Sequence, residues 1–251
     1  MGKFVLDDWR DISARGGIMT WLARLEIDAD IVYSEGISND IYIWHKMLWE
    51  CNSEDRHAKR DFLTRIDQLA GAYRFWILAQ RKPKCPRWCP SECFAINEVS
   101  PTFLSHQYYA FDLKANPTKT LVQRDVNGET LYQANGKRKH GKRVPLMKQE
   151  ELREWLIQKG KIRSVICRKG EDKVEIPGGF RILDEKSLEI SPMTTNHFRK
   201  NDNQFGYHGG VQFRGTLEVT EREYFIKTYQ SGVGSAKGFG FGLLLLSPID
   251  L

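Results

Sequence analysis

Apolar and polar residues alternate through Thr20-Trp-Leu-Ala-Arg-Leu-Glu-Ile-Asp28, which predicts a half-buried strand starting near Met19. From Asn39 to Glu50 the period changes. Apolar residues at 41, 44, 47 and 48 behind an Asn or Asp cap predict a helix, with Tyr42, His45 and Trp49 sharing one face beside the apolar stripe. Residues 61–67 and 72–79 read as two strands turning around Gly71, an antiparallel pair. Beyond Pro101 a fuller pattern follows. It comprises a strand over 108–114, a basic loop, a helix over 148–159 stopped by Gly160, strands near 162–168 and 180–190, a strand over 211–219, a helix over 221–230 and a final strand on Leu243 to Leu246. This order approximates β-α-β-β-α-β, the ferredoxin-like unit. The first half fits the same unit less completely, because no second helix is evident in it. The expected fold class is therefore α+β, with two tandem ferredoxin-like (RRM-like) domains built on antiparallel sheets. Residues 1–18 form a dispensable N-terminal extension in this reading, 19–100 the first domain and 101–251 the second.

Composition narrows the partner. The chain has 251 residues, enough for two domains of ordinary size. Its apolar runs, such as Leu243 to Leu246, are far too short to span a bilayer, and the first ten residues lack a signal-peptide core, so an intracellular, cytoplasmic protein is expected. A net charge of +6 favours a polyanion. The charge is concentrated in Lys137-Arg-Lys-His-Gly-Lys-Arg143, where five fixed positive charges occupy seven residues of a glycine-broken segment. Such a loop can lie against phosphates, or it can simply be solvated. Cys85, Cys89 and Cys93 are spaced four apart, which does not match the paired spacing of common zinc sites; Cys51 and Cys167 stand alone in the sequence. Reduced thiols and no metal are the expectation, with a cysteine-held metal as the competing one.

Two features carry chemistry. Gly232-Val-Gly-Ser-Ala-Lys-Gly-Phe-Gly-Phe-Gly242 places five glycines around Lys237, so Gly232, Gly234 and Gly238 could turn backbone N–H groups toward an anion. It is not a P-loop, because Lys237 precedes Gly238 and Phe239 where Gly-Lys-Ser/Thr is needed. Nor is it a dinucleotide fingerprint, since it lies between a helix and a strand in the reverse order. The other feature is Tyr42 one turn from His45, a phenol and an imidazole able to move protons. Lys46 could add charge beside them. Asn196 to His208 mixes basic and aromatic residues and reads as a loop, able to stack on RNA or merely exposed.

Taken together, Tyr-x-x-His at 42–45, Phe62-Leu-Thr-Arg65, Leu113-Lys-Ala-Asn-Pro-Thr-Lys119, the basic segment before Val144-Pro-Leu146, Trp155-Leu156 and the glycine-rich end resemble the CasE family. These are the endoribonucleases that process CRISPR repeat RNA in type I-E systems. The likeness runs in order from about Met19 to Pro248. It implies metal-independent cleavage at the 3′ base of the repeat stem-loop by 2′-hydroxyl attack, with no cofactor. His45 would then be the principal acid-base group and Tyr42 its helper. Lys46, Lys114, Lys119, Lys137, Arg138, Lys139, Lys142, Arg143, Gly232, Gly234, Lys237 and Gly238 would bind RNA. The implied partners are the repeat hairpin and the other subunits of the type I-E surveillance complex, with the free protein a monomer and no membrane involved. Lys114 departs from the arginine expected there, and a lysine cannot make a two-pronged guanidinium contact. A guide-RNA hairpin-binding subunit that does not cut is the alternative; the retained Tyr42 and His45 favour the enzyme.

Overall fold

The computed structural model describes residues 19–34, 41–52, 60–134, 136, 139–166, 173–200 and 204–250. The leader, Lys137, Arg138 and Cys167 lie outside the described residues.

Four strands form the first sheet: β1 (Trp21–Asp28), β2 (Phe62–Leu69), β3 (Ala72–Ala79) and β4 (Phe94–Glu98), in the spatial order β2-β3-β1-β4. Side chains alternate along each strand, so Ala23, Leu25 and Ile27 of β1 and Tyr73, Phe75 and Ile77 of β3 point to one buried face. Two helices precede β2: a short α1 (Ala29–Ser34) and α2 (Ile41–Trp49). The apolar stripe of α2 is what docks it. Trp44 and Leu48 are buried, with the Trp44 ring 4.6 Å from Phe75 and 5.5 Å from Tyr73. Between β3 and β4, where the unit calls for a second helix, the chain instead runs through the cysteine segment. Trp88 from that segment reaches in and meets Trp44 at 6.1 Å and Phe75 at 6.0 Å. A single aromatic side chain thus covers apolar area that a helix would otherwise cover.

The main path of the second sheet runs β10 (Phe180–Ile182), β13 (Gln204–Val219), β5 (Tyr108–Ala115), β14 (Leu244–Pro248). Counted within this half, that is again second, third, first, fourth. The helices are α3 (Gln149–Lys161) and α4 (Arg222–Ser231), which contribute Leu152, Leu156, Phe225 and Tyr229 to the larger core. Gly160 in α3 is demanded by packing, since a Cβ there would lie 2.3 Å from the Phe180 carbonyl oxygen. Two hairpins stand apart from the sheet, β6 (Thr118–Val122) with β7 (His140–Pro145), and β8 (Arg163–Ile166) with β9 (Lys173–Ile176).

Several expectations change. The strand expected over 180–190 is two short pieces, β10 and β11 (Glu189–Ile190), both pairing with β13. The segment over 196–208 is not a loop: β12 (Thr194–Lys200) pairs with an extension of β13, giving a hairpin that lies against α2. The basic segment is only partly a loop, because β7 sets Arg143 opposite Thr120 of β6. Neither α1 nor β4 carries enough periodicity to be read from sequence; α1 has six residues, of which only Val32 is buried. Among the described residues no helix is long and apolar enough to cross a membrane.

Candidate functional site

The two halves meet along β2 and β5. Arg65 of β2, with a side chain only 3% exposed, donates from Nη1 to Asp112 Oδ1 at 2.7 Å and from Nε to the Asp67 carboxylate at 2.9 Å. Gln212 and Arg214 of β13 donate to the same Asp112 carboxylate at 2.9 and 3.0 Å. Burial by itself would raise the Asp112 carboxyl, but these donors, Arg65 foremost, hold it below its usual range. Lys114 also belongs to this seam. Its Nζ donates to the Ile66 carbonyl at 2.8 Å, and burial lowers its pKa. Lys114, expected to contact RNA, thus ties one half to the other in the folded chain.

Beside the seam, the glycine-rich segment folds back on α2 and β2. It begins at the end of α4 and includes a single 3-10 turn over Lys237–Phe239. Several of its N–H groups are used within the fold. Val233 donates to the Gly242 carbonyl, Gly242 to the Lys114 carbonyl and Phe239 to the Ala236 carbonyl, each at 2.8 Å. Lys237 reaches back to the Ser231 carbonyl at 2.6 Å, where a cation suits the C-terminus of α4. Gly242, at φ +89°, would place a Cβ 2.7 Å from the Val233 carbonyl oxygen. The segment expected to cradle a phosphate around Lys237 is thus folded into a knot that packs one half against the other. Gly232 packs on Leu63 of β2, and Gly234 on Trp155 of α3.

What the knot presents to α2 is an aromatic ring. Phe239 stacks near His45 with centroids 6.4 Å apart and planes 30° apart, while Trp49, one turn on, meets the imidazole edge-on at 5.9 Å. Behind Phe239, at 4.6 Å, lies the His208 ring of β13, whose Nδ1 is 3.0 Å from Asn116 Nδ2. Asn116 in turn accepts from the Ser235 hydroxyl at 3.1 Å through its backbone carbonyl. His45 Nδ1 is buried and has no hydrogen-bond partner among the described residues. Burial lowers the His45 pKa, and the positive charge of Arg60 lowers it further, so the imidazole is neutral at neutral pH and can accept a proton. Tyr42 falls in the first turn of α2, and its side chain lies outside the described residues.

The other expected residues divide. Lys46 is exposed on α2 directly after His45. Lys139, Lys142 and Arg143 are exposed along the β6–β7 arm, and Lys119 at its base pairs with Glu151 at 2.7 Å. Cys51 does not stand alone: it joins Cys89 in the first core, and its carbonyl accepts from the Lys84 N–H at 2.8 Å. Burial pushes both the Cys51 and Cys89 thiols up to about 12, which leaves them protonated. Among the described residues no group of three or more His, Cys, Asp or Glu side chains is placed to hold a metal ion. Sequence reasoning does not anticipate Arg60 and Phe239 as neighbours of His45, or His208 behind Phe239. Phe239 is visible there only as a spacer between glycines, and nothing local to Lys59-Arg60-Asp61 indicates what Arg60 faces.

Residues 20–248 match the family described as CRISPR associated protein. The chain belongs to that family. Among CRISPR-associated relatives, the Cascade subunit CasE of Escherichia coli K12 is 25% identical over 219 residues, covering 87% of this chain and 98% of that protein. The CRISPR-associated endoribonuclease Cse3 of Thermus thermophilus is 26% identical over 243 residues, covering 91% of this chain and all of that one. In fold, the chain resembles Thermus thermophilus Cse3 bound to an RNA representing a pre-cleavage complex, with a TM-score of 0.63 at 23% identity over 92% of this chain and 100% of that one. Escherichia coli K-12 Cas6e gives 0.59 at 23% identity over 91% of this chain and 100% of that one.

Proposed function

We propose that this CRISPR-associated protein is a CasE-type endoribonuclease that cuts precursor CRISPR RNA at the 3′ base of the repeat stem-loop and stays on the product as a subunit of the surveillance complex. The observation that carries this reading is His45, a neutral, half-buried imidazole held between Trp49 and Phe239 at the meeting of the two halves. Family membership and the Cse3 and CasE relatives support it.

In the reaction the 2′-hydroxyl attacks the adjacent phosphorus, the P–O2′ bond forms and the P–O5′ bond breaks. The products are a 2′,3′-cyclic phosphate and a 5′-hydroxyl. One proton must leave O2′ and one must reach O5′; His45 supports one or both transfers and Tyr42 assists. The nucleophile belongs to the RNA, so neither metal nor cofactor is required. The β6–β7 arm contacts the stem through Lys139, Lys142 and Arg143, together with Lys137 and Arg138, by charge and shape, as duplex RNA hides its base edges in a narrow groove. Lys46, exposed on α2, and Lys119, at the base of the arm, add positive charge for the RNA. The protein works in the cytoplasm, where precursor RNA is processed, and is a monomer before assembly.

The deciding experiment uses the host's own repeat hairpin with a single 2′-deoxy nucleotide immediately 5′ of the cut. Wild-type protein should bind this RNA and leave it whole, cut the all-ribose hairpin, and do so equally with chelator. Cleavage of the deoxy substrate, or strict dependence on added metal, would overturn the mechanism. Tight binding of the all-ribose hairpin without cleavage would favour the non-cutting subunit.

A further inference from the structure

The reaction needs positive charge at the phosphate, and two of the cations expected to supply it are committed elsewhere. Lys237 is bound to the Ser231 carbonyl and Lys114 to the Ile66 carbonyl. Arg60 differs. It ends the chain's approach to β2, and its guanidinium sits in the angle between α2 and the glycine knot. The position a Cβ would take on Gly238 is 2.6 Å from Arg60 Nη1 and 3.9 Å from His45 Cε1, so both groups border one point beside the loop. Among the described residues Arg60 has no carboxylate and no hydrogen-bond acceptor paired with it, although it is half-buried. A guanidinium in that state is held ready for an anion, because a buried charge without a partner is costly and an incoming phosphate removes that cost. Arg65, five residues on, is more deeply buried but fully engaged by Asp67 and Asp112. Burial lowers the Arg60 pKa, and no acid among the described residues opposes it.

We infer that Arg60 is a catalytic residue of the proposed cleavage, binding the non-bridging oxygens of the scissile phosphate and stabilising the charge that develops on them in the transition state. The assignment rests on the endoribonuclease reading above. Arg60 transfers no proton; O2′ bonds to phosphorus and O5′ departs just as they would without it, while the guanidinium stays charged throughout. Its planar fork suits two phosphate oxygens at once, which an ammonium cannot match. Gly238 leaves the guanidinium in this place, since a Cβ there would lie 2.6 Å from Nη1 and Arg60 would have to shift.

The test compares single-turnover cleavage and binding of the repeat hairpin by wild type, Arg60→Lys and Arg60→Gln, with thermal denaturation of each to confirm folding. Removal of a charge-stabilising donor of this sort lowers the rate by about 10²- to 10³-fold. Arg60→Gln should show that loss with affinity within a few-fold of wild type, and Arg60→Lys should recover part of it. A hairpin carrying one sulfur in place of a non-bridging oxygen at the scissile phosphate supplies a readout that leaves the protein untouched. One diastereomer should slow the wild type, and the difference between diastereomers should collapse in Arg60→Gln. Wild-type cleavage with an unchanged Arg60→Gln rate would overturn this assignment and leave the endoribonuclease reading intact. Failure of the wild type itself to cut would overturn that reading, and Arg60's role with it.

Discussion

The two halves share one strand order and differ in what covers it. In the second half α3 and α4 both lie on the sheet and enclose Phe180, Phe213 and Phe225 with Leu152 and Leu156. In the first half α2 has no such companion, and the place beside it is held by the cysteine segment, with Trp44, Phe75 and Trp88 in mutual contact. The half with the lighter cover carries His45. Its helix is held on one side by an aromatic box and on the other by a loop that belongs to the opposite half. The placement of His45 therefore depends on the junction between the halves as much as on its own domain.

The largest stability effect should come from the aromatic box. Trp44→Ala removes a ring that is 2% exposed, and loss of a buried aromatic of this size costs about 3–5 kcal/mol. Chemical denaturation should show that loss; a change below about 1 kcal/mol would mean that the first half does not rely on the box. The seam comes next. Asp112→Ala leaves Arg65 the Asp67 carboxylate and the backbone carbonyl of residue 112, and should destabilise by about 1–3 kcal/mol, while also slowing cleavage by loosening the halves. If cleavage is unaffected, the junction does not position His45.

Much of this arrangement is legible in the chain. Alternation locates β1, the turn at Gly71 separates β2 from β3, and the apolar stripe at 41, 44, 47 and 48 locates α2 to within two residues. The helix, glycine segment and final strand at the end also fall where the pattern puts them. Other elements carry no such period. Residues 194–208 form a hairpin because β12 and β13 pair with each other, not because either strand has a regular apolar face. In the sequence Lys237 reads as a phosphate ligand because it stands among glycines, and Lys114 as an RNA contact through the family resemblance. Which acceptor each reaches is settled by the folded chain, and for Lys114 it is Ile66, far away in sequence. Arg60 escapes a sequence reading for the same reason in reverse, since its neighbour Gly238 is more distant still.

A difference in pH response should separate the site from the rest of the molecule. Burial lowers the pKa of both His45 and His208, with Arg60 adding to the effect on His45, so the folded protein prefers both imidazoles neutral. Stability from this source is complete above the unfolded histidine value of about 6.5 and falls as pH drops below it, because the unfolded chain then binds more protons. Nuclear magnetic resonance titration of the two imidazoles should give midpoints below about 6.5. Binding of a phosphate analogue should raise that of His45, and Arg60→Gln should raise it in the free protein; midpoints at or above the unfolded value would contradict the buried, neutral state.

The arm should affect binding more than fold. Neutralising Lys137, Arg138, Lys139, Lys142 and Arg143 should weaken hairpin affinity and flatten its salt dependence by roughly one unit of log-log slope for each phosphate that the arm no longer neutralises. Thermal stability should hardly change, as Lys139, Lys142 and Arg143 are exposed. An unaltered slope would return the arm to a solvated hairpin. Smallest of all should be removal of residues 1–18: a chain starting at Met19 should fold and cut as the full chain does, and loss of cleavage with fold retained would place the leader in the RNA site.

The most direct test is single-turnover cleavage of the host's repeat hairpin by His45→Ala, with affinity measured on the same RNA. An acid-base group contributes typically about 10²- to 10⁴-fold to the rate, whereas the stem and its phosphates carry binding. His45→Ala should therefore lose cleavage by that factor and keep its affinity within a few-fold, with Tyr42→Phe milder. Cleavage by His45→Ala at the wild-type rate would contradict a reaction centred on the junction of the two halves.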